Sequence, residues 1–166
     1  MEIELNGINL GDRVKDRISG FTGIAYSKYE WLNKCKRIDI LPETFDKDGK
    51  VQDSIAFDDV QVELVEAGVV VVSPNVSTAQ IALGDRVKDR VTGFIGIADG
   101  YLDGVCGLRV RILPEVLDKE GSPAEATWFW ESQVELVDAG AIVVEKNYTG
   151  GPRDMGNLNL NSSPAK

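Results

Sequence analysis

The sequence contains no histidine and only two cysteines, Cys35 and Cys106. Without histidine the commonest proton shuttle and metal ligand is missing. No serine or cysteine stands beside a base that would activate it, so nucleophilic catalysis has no visible machinery. The expectation is a protein with no catalytic residues, no metal ligands and no cofactor. Two cysteines make no disulfide framework and are compatible with a reducing compartment. Basic residues are scarce: 18 against 27 acidic ones, a net charge of −9. The longest basic cluster is "KCKR" at 34–37. An acidic chain without a basic run repels phosphates, which argues against nucleic acid and anionic membrane as partners. No apolar run approaches the roughly 20 residues that span a bilayer. The opening "MEIELNGINLGD" lacks a basic region followed by an apolar one, so no signal peptide is expected.

What the sequence does have is a long internal repeat. Leu10–Ala25 aligns with Leu83–Ala98 and differs only at Ile18/Val91, Ser19/Thr92 and Thr22/Ile95. "DILPETFDKDG" (39–49) then matches "RILPEVLDKEG" (111–121), and "FDDVQVELVEAGVVVV" (57–72) matches "FWESQVELVDAGAIVV" (129–144). The second copy has lost one residue between Ala98 and Ile112. The segment "SPNVSTAQ" (73–80) reads as a linker.

Each copy reads as short strands. "DRVKD" is the first. Gly20 and Gly23, with Gly93 and Gly96, flank the turn into a second, "GFTGIAYS" or "GFIGIADG". "CKRIDIL" and "GLRVRIL" alternate with period two, as a half-buried third strand does, and Pro42 and Pro114 end it. "DKDGK" and "DKEGS" carry turn chemistry. "SIAF" or "ATWF" is the fourth strand, "DDV" or "WES" is too short for more than one helical turn, and "QVELV" is the fifth. Five strands with one helical turn before the last is the order of an SH3-like small barrel. The expected architecture is all-β: a first barrel over 1–73, a linker at 74–79, a second barrel over 80–146, and an extended C-terminal tail at 147–166.

Three stretches invite a chemical reading and lose it. "DKDGK" at 46–50 opens like a calcium loop, but the position for the closing glutamate holds Phe57 and the flanks are strands. "GFTG" and "GFIG" lead into strands, whereas a phosphate-cradling loop opens a helix. Asp12, Asp16, Asp85 and Asp89 alternate with Arg13, Lys15, Arg17 and their copies, and read as a solvated, cross-strand-paired face. Cys35 and Cys106, at nearly equivalent places, read as small core or edge residues.

The aromatic residues are the better candidates for a binding surface. Phe57 and Phe129 match and should point inward. Their neighbours do not match: Ala56 aligns with Trp128, and Asp58 with Trp130. Residues on either side of an inward position point out, so the second copy displays two tryptophans that the first lacks. Tryptophan is enriched where interfaces concentrate their energy. Tyr26, Tyr29 and Trp31 form a second cluster, present in the first copy alone. Either set can face an external partner or cover the seam between the copies. The tail "NYTGGPRDMGNLNLNSSPAK" has only Tyr148, Met155, Leu158 and Leu160 to bury, and "NLNL" alternates as a strand added to a sheet edge would. The expected partner-binding residues are therefore Trp128, Trp130, Tyr26, Tyr29, Trp31, Tyr148, Met155, Leu158 and Leu160.

The opening of each copy resembles the "GD-x-V … G-x-x-G-x-(V/A)" start of KOW- and Tudor-type barrels. The chain also resembles a group of short proteins encoded by tailed phages and prophages. The motifs carrying this are "V-T-G-F-x-G-I" at Val91–Ile97, the later Cys106, "P … D-x-x-G" at Pro114–Gly121, "F-D-E-x-Q-L-E-(V/L)" at Phe129–Leu136, and "T-G-G-P" at Thr149–Pro152. The tandem duplication departs from that group, as does "FWES" where "FDE" is usual. The resemblance implies a virion component, for capsid decoration or a head–tail joint, made in the host cytoplasm. It would bind protein partners such as capsid or tail subunits, or further copies of itself. The alternative is a soluble phage accessory protein that binds a host protein or sequesters a small signalling molecule.

Overall fold

A computed structural model describes residues 3–143. The first copy supplies β1 (Arg13–Asp16), β2 (Thr22–Trp31), β3 (Lys36–Leu41), β4 (Ile55–Asp58) and β5 (Val62–Glu66). The second supplies β6 (Arg86–Asp89), β7 (Ile95–Gly104), β8 (Gly107–Leu113), β9 (Thr127–Trp130) and β10 (Val134–Asp138). A single 3-10 turn precedes the last strand of each, at Asp59–Gln61 and Glu131–Gln133. The described residues are thus all-β, and every pairing is antiparallel. The strands fall where the alternation places them, with one difference. β2 and β7 run ten residues each, beyond the ends set by the repeat motif.

Those extra residues join the two copies. The order within each is the same, β5-β1-β2-β3-β4 and β10-β6-β7-β8-β9. The far halves of β2 and β7 then pair with each other, Ser27 opposite Gly104 through Trp31 opposite Gly100. The result is one ten-stranded sheet. It is open: among the described residues no pairing joins β4 to β5 or β9 to β10. Each long strand bends at a bulge, Tyr26 in β2 and Asp99 in β7, where the register shifts. The bend lets its first half pair with β1 or β6 and its second half with the other copy.

One core serves both halves. Val14, Ile38, Ile40 and Val62 lie in the same buried cluster as their counterparts Val87, Val110, Ile112 and Val134. Full burial stabilises by roughly 1.5–3 kcal/mol for each such side chain. The expected inward pair does pack there: Phe57 lies 5.4 Å from Phe21, and Phe129 lies 5.3 Å from Phe94. The linker is fastened to the second copy. Asn75 Nδ2 donates to Asp103 Oδ1 (2.8 Å) and to the Gly104 carbonyl (2.7 Å), and the Thr78 amide donates to Glu131 (3.2 Å). Asp46 and Asp118 each accept two backbone N–H groups across their Gly-containing turns, the chemistry that "DKDGK" and "DKEGS" promised.

Two readings need correction. Asp12, Asp16, Asp85 and Asp89 are not on a solvated face; all four are buried. Asp12 accepts the Asn9 and Gly68 amides, both at 2.7 Å, and Asp85 does the same for Ala82 and Gly140. Asp16 and Asp89 close the next turn by accepting from Ser19 and Thr92. Only the basic partners point out, where Arg13 meets Glu43 and Arg86 meets Glu115. Sequence alternation shows period, and it does not show which of the alternating residues is inside. Cys35 and Cys106 are free and exposed, which removes the core alternative and leaves the edge one. Both belong to the hairpins after β2 and β7, and the missing residue falls there too.

Candidate functional site: one face built by both copies

Residues opposite one another in a ladder share a face. Across β4-β3-β2-β7-β8-β9 the pairing therefore sets out one row as Asp58, Arg37, Tyr29, Leu102, Arg109 and Trp130. The next row on that face is Trp31, Gly100, Arg111 and Trp128. A third holds Ala56, Asp39, Ser27, Gly104 and Gly107. The opposite face carries Ile38, Val110 and Phe129, which belong to the core.

The two aromatic clusters read separately from the sequence meet here. Tyr29 and Trp31 stack with ring centroids 6.3 Å apart and planes 6° from parallel. Trp128, from the other copy, sets its edge against both, 5.7 Å from Trp31 and 6.1 Å from Tyr29. Trp128 thus covers the seam. Trp130 points the same way, is 39% exposed, and carries the Arg109 guanidinium 4.2 Å above its ring. Arg111 lies 4.9 Å over Trp31. Such cation–π contacts contribute about 0.5–1 kcal/mol at exposed sites. Gly100 makes room for the stack: a Cβ there would stand 2.9 Å from two Trp31 ring carbons.

The polar groups are fixed by the same rows. Asp39 is buried and accepts the Ser27 hydroxyl (2.9 Å) and the Tyr29 hydroxyl (2.5 Å). Burial, reinforced by donation to that carboxylate, pushes the Tyr29 phenol up to about 12. Arg37 pairs with Asp58 at 2.9 Å. Tyr26, on the β2 bulge, places its hydroxyl 3.9 Å from Cys106 Sγ, and its phenol is raised, chiefly by that contact. The face offers flat rings, guanidinium groups and the carboxylates of Asp39 and Asp58. Tyr148, Met155, Leu158 and Leu160 lie outside the described residues.

Arg109, Arg111, Asp39, Asp99 and Gly100 belong to this face, and the sequence reading did not single them out. The signal that finds them is cross-strand register, above all the β2–β7 pairing.

The copies differ most consistently on this face. Inside, Val14/Val87, Ala25/Ala98, Ile40/Ile112, Val62/Val134 and Phe57/Phe129 are unchanged and Ile38/Val110 nearly so, while Lys28/Tyr101 and Lys36/Leu108 differ. On the outer face Ser27/Gly100, Tyr29/Leu102, Trp31/Gly104, Asp39/Arg111, Ala56/Trp128 and Asp58/Trp130 have all diverged, and only Arg37/Arg109 is kept. No family model matches the chain, and no curated protein or solved structure matches it either.

Proposed function

We propose that this chain is a non-enzymatic binding protein of a tailed-phage particle, built from two SH3-like five-stranded units, which engages a protein neighbour through the outer face of its central sheet. The observation that carries this reading is where the copies part. A duplicated chain that keeps its opening strands and most of its core, while its outer face diverges at nearly every position, has acquired a use for that face. The side chains gained there, tryptophan and arginine, are those enriched in interface hot spots. The phage setting comes from the motifs shared with phage-encoded proteins, and the SH3-like reading from the strand order and the 3-10 turn. Mass spectrometry of purified particles tests it: a virion protein appears in fixed copy number, and Trp130→Ala reduces that number while the protein stays folded. Absence from particles would sink the virion reading.

The second reading, a soluble accessory protein that sequesters a small molecule, draws on a groove of about 520 Å3 beside the linker. Lys28, Asn75 and Asp103 line it among both apolar and polar neighbours, so polar groups that could orient a ligand are present. Mass spectrometry of small molecules released from the denatured protein would reveal such a cargo.

A further inference from the structure

The bulge residues are equivalent in the two copies, yet they do different things. Tyr26 reaches Cys106 on the other copy's hairpin. Their carbonyls act alike, Asp99 accepting the Leu32 amide at 2.8 Å and Tyr26 the Val105 amide at 3.1 Å, but Asp99 also lines a pocket of about 310 Å3 with Trp31, Leu32, Asn33 and Leu113. The walls are thus an indole and two leucines, with one carboxylate. That carboxylate is poorly served. Its Oδ1 is buried and accepts no hydrogen bond among the described residues. The nearest cation, Arg111, stands 3.5 Å away and is also drawn over the Trp31 ring at 4.9 Å. Asp16 and Asp89 also keep an unpaired buried oxygen, but their other oxygen closes a turn in both copies alike. The Asp99 side chain takes no part in such a turn, and the equivalent position in the first copy holds Tyr26. Its side chain retains 14% of its exposure although Oδ1 itself is enclosed, so a ligand would approach the carboxylate from the exposed remainder of the side chain. Burial also pushes its carboxyl up, more than Arg111 pulls it down; an added cation would relieve that.

We propose that the Asp99 pocket receives a lysine side chain of the protein neighbour, with the methylene stem along Leu32, Leu113 and Trp31 and the ammonium on the Asp99 carboxylate. Lysine stems pack on apolar surface while the charged head keeps polar company, and a ring wall favours a cation. The inference rests on the partner-binding reading of the adjacent face and names the anchor that face would grip.

The test uses the full chain with n-butylammonium as the lysine surrogate and n-butanol as its neutral match, read by the indole N–H resonances and assigned through Trp31→Phe. The expected result is a saturable shift of the Trp31 signal with butylammonium, at least several-fold larger than with butanol, and lost in Asp99→Asn. Equal responses to the two probes, or an undiminished response in Asp99→Asn, would overturn the proposal. The two-probe comparison on the unaltered protein decides the matter even if the variant fails to fold. Trp130→Ala lies outside the pocket and tests the face by itself. A failed amine response with Trp130-dependent incorporation into particles would remove the lysine anchor and leave the binding reading standing. A sound amine response without incorporation would do the reverse.

Discussion

Tyr29 and Leu102 face each other at the centre of the β2–β7 ladder, with two residue pairs on either side of them. They are also the same position in the two copies, 29 and 102, at the repeat offset of 73 residues that separates Gly11 from Gly84. The pairing is therefore self-complementary about that point, as in an isologous dimer whose two chains have been fused.

This ladder makes the two copies one folding unit. The intact chain should unfold in a single transition with equal calorimetric and van't Hoff enthalpies. Leu102→Pro puts a residue without an N–H into a central strand and should be clearly destabilising. Calorimetry should then resolve two transitions. Two independent transitions in the unaltered protein would show that the ladder does not couple the halves.

Gly100 is required by Trp31. Gly100→Ala places a methyl group where the ring now lies, and overpacking of this kind costs about 1–3 kcal/mol. The indole must move away from Tyr29 and Trp128, so tryptophan fluorescence should shift together with the melting temperature. Glycine at 104 stands opposite Ser27, and alanine there should leave the fluorescence unchanged.

Asp12→Ala and Asp85→Ala should be among the most destabilising polar substitutions. Each strips two backbone N–H groups of their carboxylate partner. A hydrogen bond to a charged group contributes about 1.5–3 kcal/mol. Denaturant unfolding should report a loss of at least about 2 kcal/mol for either variant. A loss as small as that of Arg17→Ala, at an exposed side chain, would contradict the assigned role.

Acid should loosen the turns at Asp16 and Asp89. Both carboxyls are held below the usual range, first by the side-chain hydroxyls of Ser19 and Thr92. A depressed folded-state value means that the unfolded chain binds the proton more readily. The stabilisation is complete above the unfolded carboxylate value, about 3.9, and is lost as pH falls through the depressed one. Melting temperature should fall below about pH 4, and the double variant Asp16→Asn/Asp89→Asn should show a shallower fall. An unchanged acid slope in that variant would assign the acid sensitivity to other groups.

The strands were legible because short-period alternation and the turn residues at 46–50 and 118–122 leave little freedom. The inward Phe57 and Phe129 followed from the same period. Burial of Asp12 and Asp85 was not legible, because their partners are backbone amides at Gly68 and Gly140, over fifty residues away. The convergence of Tyr29, Trp31 and Trp128 was hidden for a related reason. It depends on β2 pairing with β7, and nothing in the alternation of either strand names the strand beside it. Comparing the repeats did mark Trp128 and Trp130 as unusual; Arg109 and Arg111 escaped because their alternation in "GLRVRIL" is also that of an ordinary exposed strand face.

The unlike ends of the ladder have a consequence for orientation. Trp31 lies over Gly100 at one end, while at the other Ser27 meets Gly104. Crossing from β4 to β9, the outer face passes from the carboxylates of Asp58 and Asp39 to the guanidinium groups and indoles of Arg109, Arg111, Trp128 and Trp130. Two copies of one repeat, paired as separate chains, would present the same sequence of groups from either side and could be approached either way round. The fused chain has a polarity: a neighbour laid across these strands fits in one direction and not in its reverse, so each bound molecule points.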